Sequence, residues 1–462
     1  MAGRFLRRVV AGSFLSAATA AFPCRAFADD GASAGAAGTQ APVRLPGFGP
    51  RAFGNRPTVE EMTELGAKLF ADTSLSASGK LSCATCHSPD AAFAAPNRLS
   101  TQPGGIDSKA PGRRNPPTLM YLQTSIPFTE HFIDDEDLHG DDAGPTGGLT
   151  WDGRVNSPHE QALIPLFAGN EMANPNAAEL IARLRRSPWA QQFRQTFSEA
   201  GEDVLQRPER ALEWMTSALE VYQQSPRDFY PFTSKYDAVV RGQVQFSAEE
   251  ARGLELFNDP SKGNCATCHP SASRSGFALF TDSSYVALAV PRNRDIVANR
   301  DASYFDLGLC GPDRKDLAKR ADYCGLFKTP RLRNVAKRGS FFHNGRFHDL
   351  REVLEFYATR DTDPGHWYPR NRDGSVRKFD DLPKKYHRNV NTEAPFAPLA
   401  GNKPRLSSTE IDDLLAFLKT LTDGYEPTAE TRRTAAAADA SGDPRMGRSI
   451  DRGYPAEAAA KP

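Results

Sequence analysis

Two short stretches hold residues whose types and spacing can do chemistry: Cys83-Ala-Thr-Cys86-His87 and Cys265-Ala-Thr-Cys268-His269. Two thiols three positions apart, followed at once by an imidazole, form the attachment pattern of c-type haem. The thiols bond to the two vinyl groups and the histidine gives the iron an axial nitrogen. A zinc site or a redox dithiol would use the same residue types. Against both stand the doubled motif, the histidine each time, the shared helix pattern before it, and an N-terminus built for export. Two covalently bound c-type haems are therefore expected, held by Cys83, Cys86, Cys265 and Cys268, with His87 and His269 as iron ligands. Cys310 and Cys324 remain, either as a disulfide worth ~3 kcal/mol for a loop of this size or as two buried thiols.

The elements that must position these motifs also repeat. Gly66-Ala-Lys-Leu69-Phe70-Ala-Asp72 precedes the first motif, and Gly253-Leu-Glu-Leu256-Phe257-Asn-Asp259 precedes the second. Each copy opens on a capping-box pattern, Thr58 with Glu61 and Ser247 with Glu250, ahead of an apolar helical period. Two homologous helical modules follow, 56–243 and 244–425, with the boundary in the polar stretch between Ser234 and Gln245. Further helices are expected at 158–168, 177–200, 207–222, 350–358 and 408–421. No long alternating apolar pattern occurs, so the fold class is mainly α with little β structure.

The ends read differently. Arg4, Arg7 and Arg8, an apolar stretch from Val9 to Phe22, and Ala26-Phe27-Ala28 make residues 1–28 a signal peptide. Its apolar run is too short to span a membrane. Residues 29–55 have the composition of a flexible leader, and 426–462 that of a disordered tail. With 57 basic and 57 acidic residues among 462, the chain has no net charge to attract nucleic acid. An exported protein of the periplasm, without a membrane span, is expected.

The chain resembles the bacterial diheme cytochrome c peroxidase/MauG family over roughly residues 56–425. The resemblance rests on Leu65–His87, Trp151-Asp152-Gly153-Arg154, Gln161–Glu171, and Phe327-Lys-Thr-Pro330 through Arg333-Asn334-Val335 to His343-Asn344-Gly345. It implies two cytochrome c-like haem domains in tandem, hydrogen peroxide chemistry at the N-terminal haem and electron relay at the C-terminal one. Peroxidases of the family usually give the second haem a methionine ligand. Here Met62, Met120, Met172 and Met215 are followed by none until Met446. Tyr357 stands at the family's ligand position, as in MauG-like members, and shares a helical face with Leu350, Val353 and Leu354. A phenolate favours oxidised iron and lowers the potential of its haem. The alternative is a core tyrosine with a hydrogen-bonded hydroxyl.

Many family peroxidases block the first haem with a distal histidine. Between His87 and His131 this chain has none, and His131 and His139 fall in an acidic, glycine-rich stretch from Phe128 to Leu149. The resemblance places Gln161, Pro165 and Glu171 around the open iron position, Glu171 as proton carrier and Gln161 as orienting amide. It places Trp151 between the haems as a stepping stone and His343 near the second haem. It implies calcium held by the Asn115 side chain and the carbonyls of Arg338 and Ser340, although the family more often has Thr and Pro at those two positions and Arg338 adds a positive charge.

The leading expectation is a MauG-like enzyme that forms a high-valent two-haem state with peroxide and oxidises a protein substrate or a reduced donor. The alternatives are a diheme cytochrome c peroxidase fed by a small redox partner protein, and a non-catalytic diheme electron carrier. A carrier needs two six-coordinate irons and no distal acid.

Overall fold

The computed structural model describes residues 57–132, 142–197, 202–273, 276–428 and 431. The expected signal peptide, the flexible leader, His139 and almost all of the C-terminal tail lie outside the described residues. The fold is mainly α. Its one named sheet among the described residues is a two-residue antiparallel pair, Tyr285–Val286 with Phe327–Lys328.

The repeated helices form where their caps predict. Thr58 and Glu61 close a reciprocal capping box on Val59–Ala71, and Ser247 and Glu250 do the same for Ala248–Asn258. Each then crosses a late helix of its own half. Val59–Ala71 packs on Pro208–Gln223, and Ala248–Asn258 packs on Ser408–Lys419. The crossings are so close that only glycine fits. A Cβ on Gly66 would sit 2.1 Å from Ala218 O, and one on Gly253 2.1 Å from Asp413 O. The glycine that opens both sequence repeats is thus the point where two helix backbones touch.

Behind these crossings lie two apolar cores, one from Leu65 to Phe229 and one from Tyr236 to Leu421. A tandem of cytochrome c-like modules results. The helix expected over 177–200 is two: Ala177–Arg186 and Ala190–Thr196. Pro188 explains the break, because it has no N–H to donate and holds Ser187 extended (ψ 156°). The polar stretch at 234–245 is folded. Ser234 caps Lys235–Val240, and Asp237 makes a fully buried pair with Arg333 at 2.8 Å.

Cys310 and Cys324 form a disulfide, 14 residues apart in sequence. The loop it closes presents Asp313 and Arg314 to the first half of the chain, and Asp306, just before Cys310, faces the same way. Asp306 takes a two-pronged bond from Arg114 (2.7 and 2.8 Å), Asp313 pairs with Arg113 (2.7 Å), and Arg314 donates to Asp152 O (2.9 Å). Replacing both cysteines with alanine should lower the unfolding free energy by ~3 kcal/mol in denaturant melts. An unchanged midpoint would show that the ion pairs alone hold the loop.

Candidate functional site

Two cavities open beside the two Cys-x-x-Cys-His motifs. The first is lined by Cys83, Cys86, His87, Trp151, Gln161, Pro165 and Glu171. The second is lined by Cys265, Cys268, His269, Trp151, His343 and Tyr357.

The two histidines are prepared alike. His87 Nδ1–H donates to Phe93 O (3.1 Å), and His269 Nδ1–H donates to Phe280 O (2.8 Å). Burial pushes His87 down to about 4 and lowers His269 as well, so both rings are neutral. A neutral ring that donates from Nδ1 keeps the Nε2 lone pair for a metal. Burial pushes the thiols up, Cys83 to about 12 and Cys86 to about 11. A redox dithiol needs the opposite shift. Paired thiols, a fixed histidine and an apolar cavity fit a covalently held haem.

Above the first motif, Ser157 caps Pro158–Phe167, with Pro158 in the first turn. Gln161 and Pro165 lie on this helix, and the turn after it carries Glu171, whose N–H donates to Ala168 O (2.9 Å). Glu171 is exposed and forms part of the wall of the first cavity. Desolvation raises its carboxyl, Arg154 and Arg113 pull it down, and Asp313 pushes it up. Asp313 also lines this cavity and binds Arg154 (3.2 Å) as well as Arg113. Sequence reading missed Arg113, Arg154 and Asp313 as neighbours of the acid. No local pattern links them; the disulfide loop brings them together.

Trp151 lines both cavities and is fixed at two points. Its indole N–H donates to Asn115 O (2.8 Å), and its carbonyl accepts the Lys328 N–H (3.0 Å). His343 lies flat on Phe327, ring centroids 3.5 Å apart, and burial pushes it down to about 4. His131 is exposed and paired with Asp142 (2.6 Å), away from the residues that line either cavity.

Tyr357 lies on the Leu350–Thr359 helix, stacked on Phe396 at 5.1 Å. Its hydroxyl has no hydrogen-bond partner among the described residues. Three buried tyrosines elsewhere do find one: Tyr121 on Asp423, Tyr285 on Gly147 O and Tyr368 on Ala289 O, at 2.6–2.7 Å. No methionine lines the second cavity. Burial first, then the Cys268 and Cys265 thiols, pushes the phenol up, so only a cation in the cavity would make it a phenolate.

Asn115 and Ser340 meet as expected. The Asn115 amide donates to Ser340 O (3.1 Å) and Phe342 O (3.2 Å), and Ser340 Oγ donates to Asn115 Oδ1 (3.0 Å). So placed, these groups satisfy one another without an ion. Turning the amide over would put three oxygens together, which only a cation satisfies. Arg338 lines both cavities.

A family description of di-haem cytochrome c peroxidases matches residues 60–245. The methylamine utilization protein MauG of Paracoccus denitrificans is 35% identical, over 82% of this chain and 93% of that one. The chain belongs to the diheme cytochrome c peroxidase/MauG family. The cytochrome c551 peroxidase of Pseudomonas aeruginosa is 28% identical, over 65% of this chain and 72% of its own. Among solved structures, the diheme peroxidase BthA of Burkholderia thailandensis shares 38% identity with a TM-score of 0.69, covering 81% of this chain and 90% of BthA. As a member of the diheme peroxidase/MauG family, the chain is a haem-dependent oxidoreductase with two haems. No helix among its described residues is long and apolar enough to cross a membrane.

Proposed function

We propose that this is a MauG-like enzyme of the periplasm that reacts with hydrogen peroxide in the first cavity and oxidises a protein side chain or a reduced donor. The two haems, joined covalently through Cys83 and Cys86 and through Cys265 and Cys268, supply the reaction with peroxide and the storage of its oxidising equivalents. The observation that carries the reading is the unpartnered Tyr357 hydroxyl on a second cavity that no methionine lines.

The chain's own residues do the rest. Glu171, its carboxyl raised by burial, takes a proton from peroxide and returns it to the leaving oxygen. The Gln161 amide orients peroxide, and Pro165 keeps the wall beside it free of a backbone donor. Trp151 offers a fixed aromatic step between the cavities. His343 on Phe327 supports the second cavity. The modules are 56–243 and 244–425, with Lys235–Val240 lending Tyr236 to the second core. Export is supported by the disulfide, a bond of oxidising compartments. Calcium would join Asn115, Ser340 and the Arg338 carbonyl.

The likeness to BthA and to the Pseudomonas peroxidase favours a second reading, simple peroxide removal with electrons from a small redox protein. Electron paramagnetic resonance of the resting oxidised protein tests the first. One high-spin haem and one low-spin haem with histidine and tyrosine ligands are expected, with two covalent haems and one calcium per chain by haemochrome and metal analysis. Two low-spin haems would sink the proposal and revive the electron carrier. A sample without calcium would remove that ion alone.

A further inference from the structure

Arg331 and Arg338 are cations without an anion. Both line both cavities, and neither forms an ion pair among the described residues. Arg331 is 7% exposed. One of its terminal nitrogens donates to Ser125 Oγ (2.9 Å), a neutral partner, and its Nε is buried with no partner. Arg338 leaves Nε and one terminal nitrogen buried and unpartnered. Burial alone pushes each guanidinium down to about 10. Lys328 lies on the same walls, its Nζ bound to the carbonyls of Gly147 (2.7 Å) and Ser283 (3.1 Å), and burial together with the charge of Arg331 pushes it down to about 7.

A guanidinium left desolvated and unpaired is strongly destabilising, so such groups occur where an anion completes them. The other arginines about as buried as Arg331 illustrate the rule. Arg333 has Asp237, Arg292 has Asp381, Arg360 has Asp361, and Arg314 has Asp316. The protein supplies no carboxylate to Arg331 or Arg338, but each haem carries two on one edge of its ring. A planar fork of N–H donors suits a carboxylate.

We infer that Arg331 and Arg338 form a carboxylate-binding site between the two cavities that takes propionates of the bound haems. The site gives Arg338 a role for the charge that weighed against it as a calcium ligand: its carbonyl and its guanidinium serve different groups. Positive charge beside a haem also disfavours oxidised iron, so the pair raises the reduction potentials of the haems it touches. This inference rests on both cavities taking haem, which the haem count tests by itself.

The test is a spectroelectrochemical titration of the holoprotein, without peroxide. Arg331→Gln and Arg338→Gln should keep two haems and shift the midpoint potentials downward, and Arg338→Lys should restore most of the shift. Haem loss in Arg338→Gln but not in Arg338→Lys would support the site equally, since lysine keeps the positive charge that glutamine lacks. Unchanged potentials in both glutamine variants would overturn it. So would haem loss in glutamine and lysine variants alike, which means packing, or wild-type potentials that move when chloride is replaced by gluconate, which means an anion from solution.

Discussion

Glu171→Gln should slow the reaction with hydrogen peroxide by roughly 10²–10⁴ while both haems stay attached. Stopped-flow spectra that follow the haem bands after mixing with peroxide measure it. Glutamine keeps the size of the side chain and its hydrogen bonding, but cannot carry the proton. The sign of the pH dependence follows from the raised carboxyl. Only the ionised form can take the first proton, so the wild-type rate should fall as pH drops through that raised value. Glu171→Gln should lose this limb. Disturbing Asp313, which opposes ionisation, should move the limb to lower pH without abolishing it. An unaltered rate in the glutamine variant would assign the proton to water or another group.

Tyr357→Phe should change the spin state or ligand set of the second haem and abolish the lasting spectral change that peroxide induces in both haems. Phenylalanine keeps the ring against Phe396 and leaves no new cavity, so the fold should survive. Tyr357→Met should raise the potential of that haem, because a thioether does not stabilise oxidised iron as a phenolate does. Optical spectra of the resting protein, before and after peroxide, decide the matter. An identical resting spectrum in the phenylalanine variant would leave Tyr357 a core residue and favour simple peroxide removal.

What the sequence made legible is local. Capping boxes, haem motifs and the proline at the start of the Gln161 helix depend on residues within a few positions of one another, and all stand where the pattern placed them. The break at Pro188 was equally local, and the apolar period running across it concealed it. Tyr357 emerged from a position and a missing methionine, while the evidence for its role, a hydroxyl with no partner, needs three dimensions. The same holds for Arg331 and Arg338. A sequence shows that a residue is charged, but only the surrounding structure shows that nothing neutralises it.

The loop closed by Cys310 and Cys324 has a consequence for how such proteins can be recombined. Its Asp313 holds Arg113 and Arg154, and Asp306, just before Cys310, holds Arg114, so the second half of the chain supplies part of the electrostatics at the first cavity. The two halves look like interchangeable copies, yet they are not separable inheritances. A chimaera joined near residue 244 would import its donor's loop and with it a foreign setting of the Glu171 proton. To preserve that setting, a crossover must carry residues 306–316 together with the first half.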